Sequence, residues 1–184
     1  MLRDNALLPS EAIRLTALGI LAQGPKRYAD LAAEVRHFVS RITGPSLDLM
    51  GSSLELLRYE GLVEARAGAE AGIGSPAPDT ELTITEAGRR EMIELLRSPI
   101  RGPINDVNKL IIALKMWFLH LLPSPDQRVQ VDMLMEICEG ELARLQDLRE
   151  HHPDEPGLLV AWIDHDIGQL RQRLDWFRSL RDKV

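Results

Sequence analysis

Leu54-Glu55-Leu56-Leu57-Arg58-Tyr59-Glu60-Gly61-Leu62-Val63-Glu64-Ala65-Arg66 changes its hydrophobic period at Gly61. Before the glycine, Leu54 and Leu57 continue the spacing of Leu47 and Met50, which predicts a helix opened by Ser46 and stopped at Gly61. After it, Leu62–Arg66 alternates in part, as does Glu81-Leu82-Thr83-Ile84-Thr85, and the residues between, Ala67 to Asp79, are rich in Gly, Ala, Ser and Pro. A helix running into a two-stranded ribbon with a long tip is expected.

Two helices precede this stretch. Ser10 can cap one that runs to about Ala22, with Ile13, Ala17, Ile20 and Leu21 on one face and the breaker pair Gly24-Pro25 behind it. Leu31, Val35, Phe38, Val39 and Ile42 then mark an amphipathic helix ended by Gly44-Pro45. After the ribbon, Thr85 caps a fourth helix, Glu86 to about Arg97. Three helices, two strands and a helix is the winged helix-turn-helix order, in which the helix before the ribbon enters the major groove of DNA.

Ser98-Pro99-Ile100-Arg101-Gly102-Pro103 holds two helix breakers of the proline type and a glycine, so a domain boundary is expected there, dividing residues 1–98 from residues 99–184. Beyond it, Val107, Leu110, Ile111, Leu114, Trp117, Phe118 and Leu121 form a clean apolar stripe. Ser124-Pro125-Asp126-Gln127 has the form of a helix start, with Ser124 as the cap, and a long helix to about Glu150 is expected. The last helix, Leu158 to Arg181, carries Val160, Ile163, Ile167, Leu170, Leu174 and Phe177 at alternating spacings of 3 and 4, an a/d seam. The expected fold class is mainly α with a small β-ribbon: an N-terminal winged helix-turn-helix domain and a C-terminal helical dimerisation domain. Long helices with continuous apolar stripes make a weak core alone and a good half of a dimer.

Composition narrows the class of function. The chain has 184 residues, and 45% apolar with 27% charged residues suits a globular protein. Its first residues lack a signal-peptide pattern, and the longest apolar run, Leu110 to Leu122, is broken by Lys115 and His120, so a cytoplasmic protein without a membrane span is expected. The single cysteine, Cys138, fits a reducing compartment, and its neighbours Leu134, Ile137 and Leu142 place it in a core. A net charge of −6 opposes long-range attraction to DNA, yet residues 1–66 balance, Arg3, Arg14, Lys26, Arg27, Arg36, Arg41, Arg58 and Arg66 standing against as many acids.

Three strings carry a family resemblance: Ala17-Leu18-Gly19-Ile20-Leu21 with Gly24-Pro25, then Leu54 to Glu64, then Leu82-Thr83-Ile84-Thr85-Glu86-Ala87-Gly88-Arg89. They resemble the PadR family of transcriptional regulators, and the tail, through Trp117-Phe118-Leu119 and Leu174-Asp175-Trp176-Phe177, is similar to the longer C-terminal domain of its larger members. The resemblance implies a sequence-specific regulator, a repressor acting as a homodimer on double-stranded DNA, with a small apolar effector accepted between the helical tails.

The candidate residues follow. On the third helix Ser46, Ser52, Ser53 and Arg58 are of the types that touch phosphates or base edges, and Lys26, Arg27, Arg36, Arg41 and Arg66 can together present phosphate contacts on one side. Trp117, Ile163, Ile167, Leu170, Leu174 and Phe177 are the expected dimer contacts, and Trp117, Trp162 and Trp176 either line an effector pocket or fill the dimer core. His37 and His120 are expected packed or half exposed. His151-His152, with Asp154, Glu155, His165 and Asp166, has ligand types without a metal-ligand spacing, so no metal is expected. No arrangement of nucleophile, base and acid points to an enzyme, and no cofactor is expected. The acidic third helix favours one alternative, a winged-helix protein-interaction module that has lost DNA binding.

Overall fold

The computed structural model describes residues 9–43, 50–66, 76–100, 106–153 and 156–184. The chain forms two compact units, the first ending at Leu122 and holding everything up to it except a short stretch around Pro103. The first unit contains α1 (Pro9–Ala22), β1 (Lys26–Arg27), α2 (Tyr28–Thr43), α3 (Met50–Tyr59), β2 (Val63–Ala65), β3 (Glu81–Ile84), α4 (Glu86–Arg97), α5 (Asp106–Phe118) and a 3-10 turn, Leu119–Leu121. The second contains α6 (Ser124–His151) and α7 (Leu159–Arg181).

The first unit is a winged helix. Its sheet has three antiparallel strands in the order β1-β3-β2, where two were expected. β3 pairs Leu82 with Ala65 on one side and with Lys26 on the other. Leu82 and Ile84 point to the core and Thr83 away from it, the period-2 pattern of a half-buried strand. The added strand is only two residues long, too short to show a period of its own.

α1 is buried on nearly every side, with Ala12, Ile13, Leu15, Ala17, Leu18, Ile20 and Leu21 all inaccessible, so one apolar face was an underestimate. Thr16, also buried, is satisfied by donating to the Ala12 carbonyl at 2.7 Å. A helix buried all round needs neighbours all round, and α2, α3, α4 and α5 each pack against it. At Gly19 the approach is closest. A methyl group there would lie 2.6 Å from the ring of Phe118 on α5, so the glycine lets the two helices meet.

That packing moves the expected boundary. α5 belongs to the winged-helix unit, where Leu110, Ile111, Leu114 and Phe118 are buried, and the division falls at Leu122 instead of Ser98. Pro99 follows the end of α4 without ending the domain, because the apolar stripe of α5 supplies the last wall around α1.

Two junctions fix α4. Thr85 caps it, accepting from the Gly88 amide at 3.0 Å and lying 2.8 Å from the Gly61 carbonyl, to which its hydroxyl donates. At the other end Lys115 of α5, wholly buried, donates to the carbonyls of Leu96 (2.5 Å) and Ser98 (2.8 Å). A cation at a helix C-terminus opposes the negative end of the dipole and satisfies carbonyls left over by the last turn. Burial pushes the Lys115 ammonium down to about 7.

In the second unit α6 and α7 run antiparallel, as the ion pairs Asp132–Arg181, Glu139–Arg178 and Arg149–Asp164 require, since early residues of one helix meet late residues of the other. α6 starts one residue earlier than expected, at Ser124 itself. Pro123 is the capping residue, its carbonyl accepting from the amides of Asp126 and Gln127, and Ser124 lies inside the first turn. Cys138 is fully buried on α6, and burial is the main cause that pushes its thiol up.

Two predictions follow from the first unit. A methyl group at Gly88 would sit 2.1 Å from the Leu62 carbonyl oxygen, and that backbone cannot yield without breaking its bond from the Thr85 amide. Gly88→Ala is therefore expected to cost about 1–3 kcal/mol in chemical denaturation. For Lys115, the folded value near 7 lies below the ordinary 10.5, so between these pH values the unfolded chain holds a proton that the folded chain has released. Stability should rise with pH across that window, and Lys115→Met should flatten the rise. Cys138 acts in the opposite sense near the top of the window, so the difference between the two proteins' urea midpoints at pH 7 and pH 10 is the quantity to read.

Candidate nucleic-acid interface

α2, α3 and the β2–β3 wing supply the face on which a winged helix meets DNA. The expected contacts occupy it unequally. Arg27 is exposed on β1, and Arg36 and Arg41 are exposed on α2; among the described residues these three make no ion pair. Lys26 is paired with Glu34 of α2, and Arg66 with Glu81 across the sheet at 3.1 Å. Their charge is neutralised at short range.

Five residues on one side is also more than the geometry grants. Arg36 and Arg41 are five positions apart, about 140° around α2, so they stand on opposite shoulders of its outer face. His37, exposed, emerges between them, and His120 is exposed as well, so neither histidine is packed as expected.

Arg58 is the clearest correction on α3. Leu54 and Leu57 are its buried positions, and Arg58, directly after Leu57, is half-buried on the flank. Among the described side chains of α3 the outward ones are Glu55, Leu56 and Tyr59, with Leu56 49% and Tyr59 90% exposed. Helical phase explains this, since Leu56 and Arg58 lie about 200° apart around the axis. Ser46 lies outside the described residues. Ser52 and Ser53 lie in the first turns of α3, with their side chains outside the described set. The end of α3 is held by Arg14 of α1, which pairs with Glu60 and approaches Glu91 of α4 at 3.9 Å.

The family model described as "Putative AphA-like transcriptional regulator" matches residues 2–181, nearly the whole chain. The chain belongs to this AphA-like family of regulators. It is similar to the crystal structure of Bacillus subtilis PadR in complex with operator DNA, at 17% identity over 95% of this chain and 98% of that one, with a TM-score of 0.39. It is also similar to B. subtilis PadR in complex with p-coumaric acid (16% identity, 96% and 97% covered, TM-score 0.41) and to the PadR-like regulator BC1756 from Bacillus cereus (17%, 93% and 96%, 0.38). No curated protein matches the sequence.

In this AphA-like chain the residues expected between subunits are already used. Ile163, Ile167, Leu170, Leu174 and Phe177 are all buried within the single chain, where α7 packs along α6. From Ile163 to Phe177 the seam closes a helical hairpin, and only Val160 at its start stays partly exposed. Trp117 lies in the winged-helix unit, its ring 4.5 Å from that of Phe38 and 4.7 Å from that of Phe118. Trp162 and Trp176 are on α7 and remain 55% and 51% exposed. Fourteen residues separate these two, about 21 Å of helix, so no one pocket within a chain holds both. Among the described residues no group of three metal-ligating side chains lies together, and no helix is long and apolar enough to cross a membrane. Asp154 and Glu155 lie outside the described residues.

Because the seam is internal, its truncation strikes folding. Leu170→Ala and Leu174→Ala are each expected to cost about 2–5 kcal/mol of unfolding free energy in urea. A variant that lost self-association while keeping the wild-type midpoint would contradict this placement.

Proposed function

We propose that the chain is a sequence-specific DNA-binding transcriptional regulator, a cytoplasmic homodimeric repressor whose α3 enters the major groove while the wing follows the backbone. The observation that carries this reading is the set of exposed arginines, Arg27, Arg36 and Arg41, which make no ion pair among the described residues, on the elements that precede and flank α3. Unpaired surface guanidinium groups gain from phosphates at no cost of a broken ion pair, and each contact releases counterions. The homodimer is supported by the outer side of α7: fourteen residues is close to four turns, so Trp162 and Trp176 emerge on the same side, outside the hairpin core. Two half-sites about one DNA turn apart would match such a dimer. Repression is the direct output of a dimer that covers promoter DNA.

A second reading, a winged-helix module that binds a protein and not DNA, is favoured by the pairing of Lys26 with Glu34 and of Arg66 with Glu81, and by the net charge of −6. Fluorescence anisotropy with a duplex from the chain's own upstream region, titrated over salt, separates the two. Under the DNA reading, Arg27→Ala, Arg36→Ala and Arg41→Ala should each lower the salt slope by about one unit. Glu34→Gln and Glu81→Gln, which free Lys26 and Arg66, should strengthen binding. Absence of binding at low ionic strength, where the electrostatic attraction is greatest, would leave the protein-partner reading in its place.

A further inference from the structure

We infer that α3 reads the C5 methyl groups of thymine through Leu56, with Tyr59 beside it, and does not read guanine. This inference rests on the DNA-binding reading above and names the base that the helix selects. Guanine is recognised from the major groove chiefly by Arg or Lys paired with its O6 and N7. Between Gly44 and Gly61 the sequence has a single cation, Arg58. It is half-buried on the flank of α3, about 200° around the helix from Leu56, so a groove that receives Leu56 has Arg58 on its far side.

What the helix does present is apolar. Leu56 is half exposed, and Tyr59, three residues on and about 60° away, is almost fully exposed. An exposed leucine in the last turn of a surface helix has nothing to gain from water. Of the four bases, thymine alone offers an apolar group on its major-groove edge. The tyrosine hydroxyl at the end of the helix is of the type that donates to backbone phosphate. Glu55, the remaining outward residue of this turn, is an acid, which repels phosphate and can accept only from an amino group such as cytosine N4. Affinity must then come from Arg27, Arg36 and Arg41 on neighbouring elements, while selection comes from the methyl contact. This division of labour suits a helix without a usable cation.

The test uses the full chain and duplex DNA. Sites are first selected from a random 30-base-pair library, and each thymidine of the selected duplex is then replaced singly by deoxyuridine, which removes the methyl group and leaves every hydrogen-bonding group in place. At one or two thymines per half-site the wild type should lose about fourfold in affinity, the worth of one buried methyl group. Leu56→Ala should bind the thymine duplex more weakly and no longer distinguish it from the deoxyuridine duplex. Leu56→Met, which keeps an apolar side chain of similar size, should retain part of the discrimination. Because Leu56 lies outside the core, both variants are expected to keep the wild-type urea midpoint.

Selected sites that fix guanine opposite α3, or a wild type indifferent to deoxyuridine at every position, would overturn the inference while leaving DNA binding intact. Selection of no duplex at all would remove the DNA reading and this inference with it, and would assign Leu56 and Tyr59 to a protein partner.

Discussion

A helix buried on nearly every side sets the terms for the rest of the first unit. Only Glu11, Arg14 and Ala22 of its described side chains reach solvent in part, so the apolar surface of α1 must be covered from several directions, and the winged-helix elements α2 to α4 with the sheet cover only part of it. α5 completes the enclosure. Gly19 permits the contact, because any side chain there would meet the Phe118 ring, and Lys115 fastens the same helix to the end of α4 through two carbonyls. The end of α4 at Arg97 is therefore not the end of the first unit.

This constraint also redistributes the aromatic residues. Trp117 follows α5 into the first unit, where it stacks on Phe118 and meets the Phe38 ring at a tilt. A burying ring in that position stabilises the packing of α5 on α2. The second unit meets its own need with the hairpin of α6 and α7, whose a/d seam is consumed within the chain. The outer side of α7, with Trp162 and Trp176, is left exposed.

The helices and strands were legible because each buries a face, and burial leaves a period. Which neighbour covers the face was not, because a stripe on α5 or α7 looks the same whether its partner is α1, α6 or a second chain. β1 escaped notice for another reason. Two residues, Lys26 and Arg27, show no alternation, and their partners Leu82 and Glu81 are more than fifty positions away. Lys115 read as a charge interrupting an apolar run, whereas its buried ammonium is held by the carbonyls of another helix. Arg58 could have been placed from the sequence alone. It follows Leu57 in the helical phase and so cannot share the outward side of Leu56.

Charge on the candidate interface is decided by pairing more than by number. Residues 1–66 carry as many acids as bases, which by itself argues for no attraction to DNA. The acids are not evenly spent. Glu34 neutralises Lys26 and Glu60 neutralises Arg14 at the end of α3, while Glu81, from beyond this stretch, neutralises Arg66; Arg27, Arg36 and Arg41 are exposed and make no ion pair among the described residues. Screening shortens the reach of each charge to about 8 Å at physiological ionic strength, so a phosphate near α2 responds chiefly to charges within that distance, these arginines among them. A chain with a net negative charge can thus hold a cationic margin around an apolar reading helix, the cations supplying attraction and the helix supplying selection.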